Sequence, residues 1–330
     1  MTTESLTLSP SVSPTFPVDA VTRAGEFLLA KQDPEGTWCD FREKPGVSDA
    51  WTTAFVGSSL LALPESLRPA GTEAAVARAA TWLMKKMNRF HGWGYNSVCP
   101  TDSDSCANVV LFLAQADWDF PPHTYARLLS FQREDGGFRT YYRQDPNDSW
   151  THSHPCVTPV VARALLAVKP PSDPKMARAF DAILAAQRAD GLWHSFWWET
   201  PLYSTMVNIE ACLLAGVDFP REQLITTLEQ QRPSKVFDLA LLLRCLALLD
   251  RPMPSGAADL LARQNSDGSW PVAPILLFTT HESYEPWKDE DPGPLVPDHN
   301  RLFTTAMAIR ALVTHHAALT ESLDNVSSHV

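Results

Sequence analysis

The 330-residue chain sets 38 acidic residues against 27 lysines and arginines, a net charge of −11, and no basic stripe is available to neutralise phosphates, which excludes a nucleic-acid partner. With 45% hydrophobic and 20% charged residues the chain can bury a large core and is not a disordered polypeptide. Its six cysteines form no CxxC pair and read as reduced thiols of a cytoplasmic protein, and no window approaches the run of about 20 apolar residues that spans a bilayer.

Residues 1–17 are polar and rich in Ser, Thr and Pro, and are expected to form a disordered tail rather than a signal peptide. From Val18 onward one phrase recurs: Gln32-Asp-Pro-Glu-Gly-Thr-Trp38, Gln132-Arg-Glu-Asp-Gly-Gly-Phe138, Gln187-Arg-Ala-Asp-Gly-Leu-Trp193 and Gln264-Asn-Ser-Asp-Gly-Ser-Trp270, with a worn copy at His91-Gly-Trp-Gly94. Each phrase ends an amphipathic helical stretch, near Val18–Lys31, Thr72–Met87, His123–Phe131, Pro174–Ala186 and Ser255–Arg263, with a sixth such stretch at Arg221–Gln230. Gln closes the helix, the acid-Gly pair makes a turn that tolerates positive φ, and the aromatic residue drops back onto the helix. One copy is ordinary C-cap chemistry; four are a repeat.

After each phrase a loop leads into a second helix that opens polar and turns apolar. The openings are Ser48-Asp-Ala-Trp-Thr-Thr53, Asp102-Ser-Asp-Ser-Cys106, His154-Pro-Cys-Val-Thr158, Leu202-Tyr-Ser-Thr205, Ser234-Lys-Val-Phe-Asp238 and Asn300-Arg-Leu-Phe-Thr-Thr305. A repeat of roughly 50 residues made of helix pairs must stack its copies to bury their apolar faces. Six nearly all-apolar helices ringed by amphipathic ones imply an all-α fold, an α/α barrel of about six helix pairs over residues 18–318, with 319–330 a flexible C-terminal tail. The inner-helix N-termini then converge on one cavity, with their partial positive charges around it.

The recurrent phrases resemble the QW repeats of the squalene-hopene cyclase and class II terpene cyclase superfamily, and Asp102-Ser-Asp-Ser-Cys-Ala-Asn-Val-Val-Leu111 resembles its Asp-x-Asp-Asp-Thr-Ala-x-Val-Val-Leu motif. The similarity continues through Pro155-Cys-Val-Thr-Pro-Val-Val161 and through Asp190-Gly-Leu-Trp-His-Ser-Phe-Trp-Trp198 followed by Leu202-Tyr-Ser-Thr205. It implies an acid-initiated cyclase of isomerase or lyase type, acting on a prenyl diphosphate or a prenylated intermediate. Asp104 is then the proton donor to an alkene or epoxide, with Asp102 and Ser105 beside it. The sequence departs from the motif at Ser105 and Cys106, and the family's proton-orienting His falls on Val160. The second domain that closes the cavity in such enzymes has no counterpart in this sequence.

Protonating an unactivated C=C demands an un-ionised carboxylic acid shielded from water, and two carboxylates on one buried turn raise each other's affinity for a proton. Asp104, one step further into the apolar helix, is expected to be the more desolvated acid and Asp102 the more solvated one. The carbocation that follows needs aromatic faces. Trp51, Trp150, Phe196, Trp197, Trp198, Tyr203 and Phe303 fall near the cavity end and, with Cys106 and His154, are the expected substrate contacts. Of the loop histidines His152 and His154, one is the candidate replacement for the missing orienting His.

Two further readings stand beside this one. Protein prenyltransferase β-subunits share the barrel, and Asp104, Cys106 and His154 match their zinc ligands in type; a barrel with a decayed motif that binds an apolar ligand is the third. The cyclase reading implies no cofactor and no metal, Mg²⁺ entering only if the substrate carries a diphosphate. The loop Pro271–Asn300, with acids at Glu282, Glu285, Asp289, Glu290, Asp291 and Asp298, is the expected lid, and the N-terminal tail or a second copy in a homodimer are the other covers available.

Overall fold

The computed structural model describes residues 16–142, 145 and 147–327, and of 322–327 the backbone alone. Outer and inner helices alternate. The outer set is α1 (Val18–Ala30), α3 (Thr72–Lys86), α5 (His123–Leu129), α7 (Pro174–Ala185), α9 (Glu222–Gln230) and α11 (Pro254–Ala262); the inner set is α2 (Ala50–Leu61), α4 (Ser103–Gln115), α6 (Thr158–Leu165), α8 (Pro201–Ala215), α10 (Val236–Leu248) and α12 (Leu302–Ser327). Each inner helix packs on the next, and α12 packs back on α2, which closes the ring. Burial follows composition: every residue of α2 from Ala50 to Leu60 is buried, whereas α7 buries only Met176, Ala179, Phe180 and Ile183, one stripe at helical spacing.

The recurrent phrase is the joint between repeats. In each full copy the Gln side-chain amide donates once to the carbonyl of its own turn glycine and once to a carbonyl in the first turn of the next outer helix or, for Gln187, two residues before it. Gln32 reaches Gly36 and Ala75, Gln132 reaches Gly136 and Lys175, Gln187 reaches Gly191 and Pro220, and Gln264 reaches Gly268 and Ala20. The last of these joins α11 to α1, so the seam of the ring lies between the last repeat and the first. Gly36, Gly136 and Gly268 have positive φ, and a Cβ on any of them would meet a carbonyl oxygen of the neighbouring outer helix within 2.7 Å, at Arg78, Arg178 and Arg23 respectively, so glycine is required twice over. The indole N–H of Trp38, Trp93, Trp193 and Trp270 donates to the carbonyl ten residues earlier, at Leu28, Leu83, Ile183 and Leu260.

The strands form two small hairpins, β1 (Asp40–Glu43) with β2 (Gly46–Ser48) and β3 (Pro274–Leu277) with β4 (Leu295–Pro297). The C-terminal stretch differs from expectation: α12 runs on to Ser327, so residues 319–327 continue a helix instead of forming a loose tail. Residues 1–15 and 328–330 of the expected tails lie outside the described residues. No described helix is long and apolar enough to cross a membrane.

Candidate active site

A cavity of about 520 Å³, its mouth included, lies where the inner helices begin, lined by Trp51 from α2, by Asp102, Asp104 and Ser105 from the start of α4, and by Tyr95, Thr140, Tyr141, Trp150, Trp197 and Trp198 from the loops between helices. Leu276 and Phe278, from the loop after Trp270, complete the wall.

Asp102 is the N-cap of α4, in extended backbone conformation with φ −121° and ψ 157°, and its carboxylate accepts from the Ser105 N–H at 2.7 Å and the Ser105 hydroxyl at 2.8 Å. Asp104 sits two residues on, inside the first turn, and its carboxyl receives one long contact, from the Asn108 amide at 3.4 Å. Burial raises both acids, Asp102 to about 7 and Asp104 to about 8; hydrogen bonds offset the rise at Asp102, while the charge of Asp102 adds to it at Asp104. Both carboxyls are thus pushed well up, and the Ser105 hydrogen bonds act against the rise at Asp102 alone. The exposures run opposite to the expectation: Asp102 is 3% exposed, while Asp104 is the part-exposed acid and borders the cavity. A capping side chain must fold back over the helix end, which buries Asp102, whereas the first turn swings position 104 toward the lumen.

A relay behind the wall fixes one indole. The Trp197 indole N–H donates to the Thr140 hydroxyl at 2.8 Å, Thr140 lies 2.8 Å from His154 Nδ1, and His154 Nε2 lies 3.0 Å from the Ser149 carbonyl. A carbonyl can only accept, so Nε2 carries the proton and Nδ1 accepts from Thr140. Burial holds the His154 imidazole neutral, pushed down to about 3.

Of the residues singled out in the sequence, Trp51, Asp102, Asp104, Ser105, Trp150, Trp197 and Trp198 meet around the cavity. Five others stand behind the wall. His154 stacks on Phe196 with ring centres 3.8 Å apart, Tyr203 stacks on Trp198 at 3.9 Å, and Phe303 is buried between Phe55 and Trp198. The position where the resemblance puts an orienting His, Val160, lines a deeper cavity, and His154 does not replace it: both its ring nitrogens are engaged away from Asp104.

The fifth is Cys106. Its sulfur accepts the Trp93 backbone N–H at 3.1 Å, and Thr53, Thr158, Thr205 and Thr305 take the corresponding N–H of Trp38, Phe138, Trp193 and Trp270. Cys106 is thus the worn copy's version of a structural threonine, fully buried, with burial raising its thiol far above the ordinary range. The ligand set Asp104, Cys106 and His154 is not assembled, and among the described residues no three His, Cys, Asp or Glu side chains are arranged to hold a metal. The loop acids are likewise dispersed: Asp298 is buried and accepts from the Ala273 and Thr304 N–H groups, and Asp289 accepts from the Ser283 hydroxyl.

The loop after Trp270 is stitched over the mouth. Its β3 bonds to the segment before α8, with Leu277 N–H to Trp197 O at 2.9 Å and Glu199 N–H to Ile275 O at 3.1 Å. Further along, the Trp150 indole N–H donates to Thr279, Ser149 N–H to His281 O, and His281 Nδ1 lies 2.9 Å from Asp148.

Tyr95, Thr140, Tyr141, Leu276 and Phe278 line the cavity without having been anticipated. A signal for three of them was present: Tyr95, Thr140 and Tyr141 stand two or three residues after the aromatic that closes each phrase, Trp93 or Phe138.

No family model matches the chain, and no curated protein does. Solved structures do. The type II terpene cyclase MstE from Scytonema superposes with a TM-score of 0.78 at 24% identity, covering 91% of this chain and 98% of that one, and a variant of it holding geranylgeranyl dihydroxybenzoate, its substrate, superposes at 0.77 with 23% identity, over 91% and 97%. A protein from Actinoplanes superposes at 0.75 with 26% identity over 90% of this chain and 98% of its own. An ent-copalyl diphosphate synthase from Streptomyces platensis superposes at 0.56 with 19% identity over 82% of this chain and 50% of its own. The twelve-helix ring is the fold of a class II terpene cyclase.

Proposed function

We propose that this chain is an acid-initiated cyclase that isomerises a prenylated small molecule. The observation that carries the reading is the placement of Asp104: its carboxyl borders a cavity walled by Trp51, Trp150, Trp197 and Trp198, with burial and the Asp102 charge both favouring its protonated form. Asp104 gives its proton to one carbon of a C=C bond, which forms a C–H bond and leaves the cation on the neighbouring, more substituted carbon. A second double bond of the same chain attacks that cation and closes a ring; loss of a proton from the last cation restores an alkene, so the product is an isomer of the substrate. The indole faces lower the energy of the passing cations by roughly 0.5 to 2 kcal/mol each. The Asp104 carboxylate left behind sits at a helix N-terminus, where the partial positive charge favours the anion.

The wall bears on the substrate class. None of the described lining side chains is a cation and two are acids, so a diphosphate head would find no counter-charge among them. A prenylated aromatic, the class to which the MstE substrate belongs, brings at most one carboxylate charge in place of a diphosphate's two or three and sets a ring against the indole walls, and Mg²⁺ has no part in that case. The test is incubation of the purified protein with geranylgeranyl dihydroxybenzoate and with geranylgeranyl diphosphate, in parallel with Asp104→Asn. Cyclised isomers from the first substrate, absent with the variant, support the reading; no product from either, or product that survives Asp104→Asn, overturns it.

A further inference from the structure

Deeper in the barrel lies a group of charges that the proposed reaction does not use. Glu210 of α8 is buried and holds Arg163 of α6 at 2.5 Å and Arg244 of α10 at 2.6 Å. Arg310 of α12 joins them. Its Nε donates to the Ser59 hydroxyl at 2.7 Å, and its guanidinium lies 4.5 Å from the centre of the Phe55 ring. Arg244 also donates to the Arg310 carbonyl and the Thr314 hydroxyl, which fixes the two helices against each other.

Among the described residues Glu210 is the one carboxylate in salt-bridge reach of Arg163 and Arg244, and Arg310 has none, so three guanidinium groups share a single carboxylate. Tyr203, on the same cavity, adds no anion, because burial raises its phenol well above the ordinary range. Arginine does not escape by losing its proton: Arg310 is depressed by burial, Arg244 and Arg163, with Glu210 opposing, yet only to about 9. Half-buried guanidinium charge that keeps its proton and is only partly paired favours an anionic partner. The Nη groups of Arg310 meet no acceptor among the described residues, and Arg163 and Arg310 both line a cavity that has no carboxylate among its described walls and is bordered by the Ser58 and Tyr203 hydroxyls and the Gln115 amide, the Asn108 amide there being turned to Asp104. Ser58 and Gln115 also border an outer groove, lined further by Arg68, Glu73 and Asp117.

We infer that this lower cavity is a binding site for a small inorganic anion, held between Arg163 and Arg310 and completing the charge balance of the ring. The site is independent of the cyclase reading and stands or falls without it.

The direct test is a crystal of the full chain soaked in sodium bromide and measured for anomalous scattering. A peak between the Arg163 and Arg310 guanidinium groups is the expected result. In solution, the melting temperature should be higher in sodium chloride than in sodium gluconate of equal ionic strength, rising on the order of 2 °C per tenfold halide above its Kd, and Arg310→Met should remove that difference. A shift with phosphate but not with halide also supports the site and assigns it to an oxyanion. If bromide gives no peak and neither halide nor phosphate shifts the melting temperature, or if wild type and Arg310→Met respond equally, the proposal fails. Should Arg310→Met not fold, the bromide experiment on the wild-type protein still decides.

Discussion

The Cys106 sulfur accepts the backbone N–H of Trp93 at 3.1 Å and donates back to the Trp93 carbonyl at 3.3 Å, the pair of bonds that Thr53 makes with Trp38. Cys106→Thr should therefore keep both turnover and melting temperature near wild type. Cys106→Ala should cost about 1 kcal/mol of stability with little loss of turnover. Bound zinc in the wild type, lost together with activity in Cys106→Ala, would sink the acid-initiated reading in favour of the prenyltransferase-like one.

Asp104→Asn keeps the shape and removes the proton. Turnover should drop by orders of magnitude, with ligand affinity little changed. Stability should move the other way, and the sign follows from proton binding. Asp104 holds its proton up to about 8 in the folded chain and loses it near 4 when unfolded, so between those values the native state binds more protons and the wild type loses stability as pH rises. The variant should match the wild type near pH 4 and melt above it at pH 8. A variant that melts lower at pH 8 would contradict this placement of the acid.

Turnover of the wild type should fall as pH rises past about 8, an apparent value that belongs to the Asp102–Asp104 pair. Asp102→Asn retains an acceptor for the Ser105 N–H and deletes the charge that holds the proton on Asp104. Its falling limb should shift to lower pH, with a smaller loss at pH 6 than Asp104→Asn shows. Identical limbs for wild type and Asp102→Asn would mean that the two carboxyls do not communicate.

Removing residues 275–297 strips Leu276 and Phe278 from the cavity wall and opens it to water. Hydroxylated products, from water capture of the cation, should then accumulate at the expense of the alkene. Thr279→Val, which breaks only the bond to the Trp150 indole, should give a smaller rise in the same products. An unchanged product profile for the deletion would mean that another part of the chain closes the site.

The repeat was legible because its chemistry is local. The Gln-to-Gly bond spans four residues and the Trp-to-carbonyl bond ten, so spacing alone carried the joint, and counting joints gave the ring. The cavity wall was legible only in part. An aromatic at a helix opening faces either the lumen or a neighbouring helix, and no periodicity decides between them: Trp51 lines the cavity, while Phe303, at the same point of its repeat, is buried against Phe55. Tyr95, Thr140 and Tyr141 come from irregular loops, where side-chain direction is set by contacts made elsewhere, such as the Tyr95 hydroxyl donating to Phe41 O at 2.7 Å. The acids show the same limit. That both lie on the first turn of one helix could be read from the sequence, but the Ser105 bonds that tie Asp102 into the cap and leave Asp104 at the cavity could not.

The bond from Gln264 to Ala20 crosses 244 residues and closes the ring at its seam. During synthesis α1 leaves the ribosome first, yet its partner turn and the helix it packs on, α12, are made last. Trp38, Leu63 and Pro69 cover part of α1 early, but the part of its apolar face that meets α12 waits until the last helix is made. Contacts of such long separation slow folding and expose intermediates to aggregation. A circular permutant that joins the termini and opens the chain between α2 and α3 would bring α1 and α12 into one continuous segment and move the seam to the contacts of α2 with α3 and α4, so its refolding should gain nothing in speed over the natural order.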